Sequence, residues 1–342
     1  MMATTNELLL NAEHRQPVFV QHFQHVIEQG ELAHAYLFAG PAGSGKEELA
    51  MWIAMRLFCN RVTDGQPCGE CEECLRISQH EHPDVLVVEP DGQSIKVDQV
   101  RLLKTEFTKS GVEGNQKVFI VAGAETMTAS AANSLLKFLE EPSGTVTAIL
   151  LTTNLNLILP TVVSRTQELE MRPLAPMELQ TQLAAVGVSP SLLPLTMRLT
   201  NSAEQAQKWL TDDWLGQAAN ATWQWLAHVL KPDLHAFPLV ATDIMPLAKD
   251  RGHQRLLLDM IIAALRDALL ISQPAVTESV TMSFPSHRAE LATLTANYTQ
   301  NQLVEMTDLG LQSKQQLERN VSFENTVEAL TLQIIDGLTV AQ

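Results

Sequence analysis

The chain has 342 residues, which at roughly 150 residues per domain predicts two domains, or three if one is small. Hydrophobic residues make up 45% and charged residues 18%, enough apolar surface for a packed interior, so collagenous, low-complexity and broadly disordered classes are excluded. Lys and Arg total 23 against 39 Asp and Glu, a formal net charge of −16, so the mean surface repels phosphate and sequence-independent DNA binding would need a local basic patch or partner chains.

The start, Met1-Met2-Ala3-Thr4-Thr5-Asn6-Glu7, lacks the basic residues and small-residue cleavage site of a signal peptide. The most apolar stretch, Leu256 to Leu270, is interrupted by Asp259, Arg266 and Asp267 at spacings that give a helix a polar face. A cytoplasmic protein without a membrane span is expected.

From about residue 15 to 172 helices alternate with short apolar strands. Val18 to Glu28 predicts a helix, Ala35 to Ala39 a buried strand and Lys46 to Phe58 a helix. Val85 to Glu89 predicts a strand, Val97 to Thr108 a helix, Val118 to Ala122 a strand, Ser130 to Glu141 a helix stopped by Pro142, and Thr147 to Thr152 a strand. This alternation implies an α/β fold with a parallel sheet covered on both faces. Beyond Arg172 the strand signals end. A link, Pro173 to Pro176, leads to three short helices, Met177 to Val186, Ser189 to Leu199 and Ser202 to Leu210, and Trp214 to Val340 predicts about five longer amphipathic ones. The expected domains are 1–172, a small helical domain over 173–212 and an all-α domain over 213–342.

Gly40-Pro41-Ala42-Gly43-Ser44-Gly45-Lys46 follows a predicted strand and opens a predicted helix, the setting a phosphate-binding loop requires. Gly40, Gly43 and Gly45 let backbone N–H groups converge on phosphate oxygens, the helix N-terminus adds positive potential, and Lys46 reaches the terminal phosphates. The next position calls for the Ser or Thr hydroxyl that holds magnesium, and it is Glu47. A carboxylate there places negative charge near the β- and γ-phosphates, so nucleotide binding is in doubt; Glu47 and Glu48 equally suit the positive end of a helix. A P-loop hydrolase also needs an acidic pair at the end of its next strand. Ala122 and Gly123 stand at those positions, and Glu125 lies two residues too far along to substitute without a rearranged loop. Hydrolysis by this chain alone is not expected.

The four cysteines are spaced Cys59-x8-Cys68-x2-Cys71-x2-Cys74, with Gly65, Pro67 and Gly69 between them for tight turns. Four thiolates within sixteen residues can surround one tetrahedral ion and leave no open position, which points to a structural zinc site. An iron–sulfur cluster, free core thiols and a disulfide switch are the alternatives. Ser164-Arg165-Thr166 sits just past the predicted P-loop core. Arg165 reads either as a surface arginine paired with Glu168 or Glu170, or as a finger that reaches the γ-phosphate of a neighbouring subunit. His22, His25, His34, His80 and His82 show no metal-ligand spacing, and Trp223 and Trp225 point in different directions on one helix, so both tryptophans read as packing residues.

Several runs together resemble a known family: Ala33 to Pro41, the cysteine insertion, His82-Pro83-Asp84, Ile95 to Arg101, Ala131 to Pro142, and Ser164-Arg165-Thr166. They resemble the delta prime family of bacterial DNA polymerase III clamp-loader subunits, closely over about residues 10 to 172 and in length and class alone beyond. The resemblance implies an AAA+ module of two subdomains, residues 173–212 being the helical lid and 213–342 a collar that holds a pentamer together. The implied partners are the ATP-hydrolysing gamma/tau subunits and delta, and through them the sliding clamp and primer-template DNA. The competing paralogue, the gamma/tau motor, requires Ser or Thr after Lys46 and acids at 122 and 123, and this chain lacks both. By position Arg165 matches the family's finger arginine, with Thr166 where Cys is usual, and Asn154 matches its polar sensor. The expected function is a non-hydrolysing stator of the clamp loader within the polymerase holoenzyme. The rival readings are an independent P-loop ATPase or nucleotide kinase, which would need the missing acid, and a zinc-module nucleic-acid binder acting alone. The latter would need basic residues beside the cysteines, where Asp64, Glu70, Glu72 and Glu73 face Arg61.

Overall fold

The computed structural model describes residues 5–92, 94–108, 116–140, 145–273, 280–319 and 321–340. Glu141 and Pro142, expected to close a helix, lie outside them. The chain divides into two compact units, Met1–Leu174 and Ala175–Gln342.

The first unit holds a five-stranded sheet. Its strands are β1 (Ala35–Ala39), β2 (Val85–Val88), β3 (Gln116–Val121), β4 (Thr145–Thr152) and β5 (Gln167–Glu170), in the order β2-β3-β4-β1-β5 and paired in parallel throughout. Its helices are α1 (Thr5–Arg15), α2 (Pro17–Gln29), α3 (Lys46–Phe58), α4 (Glu72–Ser78), α5 (Val97–Thr108), α6 (Ala129–Glu140) and the single turn α7 (Pro160–Val163). Strand side chains alternate between the two faces, and here both faces are covered. Tyr36 and Phe38 pack with Phe23, Trp52 and Ile120 on one side, while Leu37 packs with Phe119, Leu135 and Leu150 on the other. That is why Ala35–Ala39 in β1, Val118–Val121 in β3 and Ala148–Leu151 in β4 are continuous apolar runs without hydrophilic alternation.

Four elements were not anticipated: β5, α1, α4 and the single turn α7. β5 reads Gln-Glu-Leu-Glu and is an edge strand with three of its four side chains exposed, so it carries no apolar signature and its acids keep the edge from pairing with another chain. α1 is held by tertiary packing: its Thr5 hydroxyl meets that of Ser78 in α4 at 2.9 Å, and Leu9 and Asn6 lie against Gly69. α4 begins at Glu72, directly after Cys71 and inside the cysteine insertion.

The second unit is helical, with no strand among its described residues. Its helices are α8 (Pro176–Ala185), α9 (Leu193–Leu199), α10 (Ala203–Trp209), α11 (Trp214–Val229), α12 (Ala236–Leu239), α13 (Arg251–Ile271), α14 (Arg288–Thr295), α15 (Gln300–Glu318) and α16 (Phe323–Val340). One continuous core runs through it. Trp225 is fully buried and donates from its indole N–H to Thr331 Oγ1 at 2.9 Å, joining α11 to α16, and Trp223 is buried beside it on the same helix. Gly310 lets α15 approach α13 so closely that a Cβ there would lie 3.0 Å from Leu265 Cδ1. Among the described residues no helix is long and apolar enough to cross a membrane.

Candidate functional site: a closed phosphate loop, a thiolate cluster and a distant arginine

In a parallel sheet the loops that meet ligands lie beyond the carboxyl ends of the strands. Gly40 to Gly45 follow β1 there, with Gly123 to Thr126 after β3 and Thr153-Asn154 after β4. The loop has the backbone a phosphate cradle requires: Gly43 and Gly45 adopt φ of 75° and 89°, a region that disfavours residues with a Cβ. Gly40 is required by crowding, since a Cβ would sit 2.6 Å from the Met171 carbonyl oxygen.

The loop is nonetheless closed on itself. Lys46 is buried, and its Nζ donates to the carbonyls of Gly40 and Pro41, both at 2.7 Å, and to Ser44 Oγ at 3.3 Å. An ammonium group has three donors, and all three are spent inside the loop. Burial pushes the Lys46 pKa down, against the opposing pull of Glu125, Glu47 and Glu48. The junction of α1 and α2 lies across the loop's end: Gln16 Nε2 donates to the Ser44 carbonyl at 2.6 Å and the Arg172 carbonyl at 3.2 Å, and Arg15 pairs with Glu48 of α3. Arg15 stands so close that a Cβ on Gly45 would meet its own Cβ at 2.9 Å.

At the end of β3, Ala122 and Gly123 offer no oxygen ligand. Gly123 turns left-handed into a 3-10 turn that carries Glu125 back over the strand ends. Its Oε1 accepts from Thr153 N at 3.1 Å and from Thr153 Oγ1 at 2.5 Å, while Oε2 is buried without a hydrogen-bond partner. Glu125 is thereby tied to Thr153 at the end of β4 and does not take the place of an acid at 122 or 123, although its charge acts on Lys46. Asn154, at the expected sensor position, caps the following turn, its Oδ1 accepting from Asn156 N at 3.1 Å.

The thiols of Cys59, Cys68, Cys71 and Cys74 all lie within 4.8 Å of one another, and no disulfide joins them. A tetrahedral ion with metal–sulfur bonds of about 2.3 Å sets its four sulfurs about 3.8 Å apart, so a slight contraction encloses one. Cys59 and Cys71 are already at 4.0 Å. Backbone N–H groups of Arg61 and Cys68 point at Cys59 Sγ, at 3.4 and 3.2 Å, and that of Cys71 points at Cys68 Sγ at 3.3 Å, an arrangement suited to thiolates. Burial opposes ionisation of Cys68, but the N–H groups of Glu70 and Cys71 and the thiols of Cys59 and Cys71 outweigh it and bring its pKa to about 6. Burial, aided by the Cys71 thiol, pushes Cys74 well up. Four such thiols ionise together only around a cation, so the cluster could hold a metal ion.

The insertion is fastened to α3 by Trp52 Nε1 donating to Gln66 Oε1 at 2.7 Å and by Arg56 Nε donating to the Gly65 carbonyl at 2.8 Å. His82, one of the histidines without metal-ligand spacing, is buried between Glu73, 3.0 Å from its Nε2, and the Asp84 N–H, 3.1 Å from its Nδ1.

Arg165 lies at the opposite end of the sheet. It precedes β5, which runs parallel to β1, so all five residues of β1, about 16 Å of strand, separate its level from the phosphate loop. Its partner is Glu140 at the end of α6, where Glu168 or Glu170 was expected. Those two acids follow in β5 beyond the turn that carries Arg165, whereas α6 delivers Glu140 to the arginine from 25 residues upstream. A shallow concavity of about 510 Å³ opens around the pair, lined also by His34, Ser164, Thr166 and Gln167.

These features define a P-loop α/β module with a four-cysteine insertion and a phosphate loop sealed by its own chain, followed by a helical unit. The family described as DNA polymerase III, delta subunit, matches residues 15–175. A DNA polymerase III subunit delta' of Bacillus subtilis is 33% identical over 326 residues, covering 94% of this chain and 97% of that protein. One from Pseudomonas aeruginosa is 44% identical over 135 residues, 39% of this chain and 41% of that protein. A gamma/tau subunit of Mycobacterium tuberculosis is 33% identical over 201 residues, 57% of this chain and 35% of that protein. The chain belongs to the delta prime family of DNA polymerase III clamp-loader subunits.

Proposed function

We propose that this chain is the stator of a DNA polymerase III clamp loader: it hydrolyses no ATP, helps to load the sliding clamp on primed DNA, and lends Arg165 to the ATP site of a neighbouring subunit. The observation that carries this reading is the separation within one module. The phosphate loop at one end of the sheet has its lysine committed to Gly40 and Pro41 and no acid at 122 or 123, while Arg165 stands half-exposed at the other end. An arginine that far from its own loop can serve only another chain's phosphates, and a guanidinium suits transition-state charge on a phosphoryl group.

In the same reading the cysteine cluster holds a structural zinc ion, ATP binding in the loop is disfavoured by the committed Lys46 and by Glu47, residues 173–212 form the lid and 213–342 the collar, and the protein works in the cytoplasm. Its direct partners are gamma/tau and delta subunits, with the clamp and primer-template DNA reached through them. Similarity to both delta' and gamma/tau subunits supports assembly among related chains.

Arg165→Ala in a reconstituted complex tests the reading. The variant should fold and assemble, because the side chain is half-exposed, yet slow clamp loading and lower DNA- and clamp-stimulated ATP turnover. Loss of a trans arginine costs on the order of 10³-fold at the site it serves. Unchanged clamp loading by a normally assembled variant would reduce the chain to a scaffold.

A further inference from the structure

Glu140 holds the arginine in a particular way. Its Oε1 accepts from Arg165 Nε at 2.7 Å and lies 2.5 Å from Nη2, so a single carboxylate oxygen grips the side-on edge of the guanidinium. On the other side Nη1 donates to the Thr161 carbonyl at 3.0 Å and to Ser164 Oγ at 3.3 Å. A guanidinium has five N–H donors, so at least one, on Nη2, is left over beside the concavity. The plane of the fork is therefore fixed from two sides while part of its outer edge stays available.

This arrangement contributes little to the fold. Both side chains are partly exposed, 35% for Arg165 and 48% for Glu140, and an ion pair so placed is worth little to stability. A free arginine side chain has several rotatable bonds and would sweep a wide volume, whereas a finger must present its fork in one orientation to a planar set of phosphate oxygens. Glu140 terminates α6, whose buried Leu135 and Leu139 pack onto the sheet, so the carboxylate is carried by a rigid element.

We propose that Glu140 is a positioning residue: it clamps the side-on edge of Arg165 so that the outer edge of the guanidinium is presented, already oriented, to the terminal phosphate of a nucleotide bound by the neighbouring subunit. This rests on the reading of Arg165 as a trans finger. It assigns to the last residue of α6 a role exercised wholly through Arg165, with no contact of its own to the nucleotide.

A double-mutant cycle on the reconstituted complex tests it, with wild type, Glu140→Ala, Arg165→Ala and the double variant compared in stimulated ATP turnover and clamp loading. Glu140→Ala should lower the turnover number of the site served on the order of 10-fold, as loss of orientation does, with little change in the KM for ATP and an unchanged melting temperature. Glu140→Gln keeps an accepting oxygen in place and should recover most of the rate. In the Arg165→Ala background, Glu140→Ala should have no further effect. If Arg165→Ala slows the complex and Glu140→Ala does not, the positioning role is wrong and the finger stands. An equal loss from Glu140→Ala with and without Arg165 also overturns it, as does a faster complex, which would make Glu140 a competitor of the phosphate. If Arg165→Ala itself has no effect, the finger falls and the positioning role falls with it.

Discussion

Gln16 donates from its side-chain amide to the backbone carbonyl of Ser44 at 2.6 Å, tying the junction of α1 and α2 to the interior of the phosphate loop. The bond satisfies a buried acceptor, and its donor is itself buried, so neither group has water as a replacement. Gln16→Ala leaves the Ser44 and Arg172 carbonyls without that amide and should lower the unfolding free energy by about 1–3 kcal/mol. Urea denaturation reads this as a lower midpoint at unchanged slope. A variant as stable as the parent would show that the junction does not seal the loop.

The thiolate cluster predicts metal-dependent stability. Because binding free energy at a closed four-thiolate site is folding free energy, protein purified under reducing conditions should carry about one zinc per chain, and chelation should lower its melting temperature. Elemental analysis with calorimetry checks both. A zinc content near zero, with melting unchanged after chelation, would return the cysteines to packing thiols.

Asp267 makes a prediction about pH in the helical unit. It is fully buried, with Oδ2 accepting from Phe284 N at 2.8 Å and Oδ1 without a hydrogen bond, 3.9 Å from Arg266 Nη1. Burial raises its pKa above the usual 3.8, outweighing the N–H groups of Phe284 and Ser283 and the charges of Arg266 and Arg198. A raised carboxyl pKa means that the native state keeps the proton longer than the unfolded chain. Below about pH 3.8 both states are protonated and Asp267 costs nothing; as pH climbs past that value the unfolded chain ionises first and stability declines until the native pKa is passed. Asp267→Asn removes this dependence, so its stability relative to wild type should increase between pH 4 and pH 7. A constant difference across that range would contradict the assignment.

Much of this was legible in the sequence because it is local. The strand, glycine loop and lysine of Ala35 to Lys46 and the spacing of Cys59 to Cys74 lie within single stretches of chain, and the structure brings each group together. What stayed hidden depends on partners far away in the chain. The Arg165–Glu140 pair spans 25 residues and the Glu125–Thr153 bond 28, so no local pattern announces either. β5 was missed because an exposed edge strand such as Gln167–Glu170 has no reason to be apolar. α1 was missed because its buried face rests on the cysteine insertion and α3, surfaces that exist only once the first unit has folded.

ATP turnover by the isolated, zinc-replete chain tests the central claim most directly. With three Lys46 donors engaged by the loop and no acid at 122 or 123 to hold magnesium or orient water, turnover should not exceed background, and Glu47→Thr alone should not create it. Robust hydrolysis by the wild-type chain, abolished by Lys46→Ala, would contradict the stator and make this an ATPase in its own right.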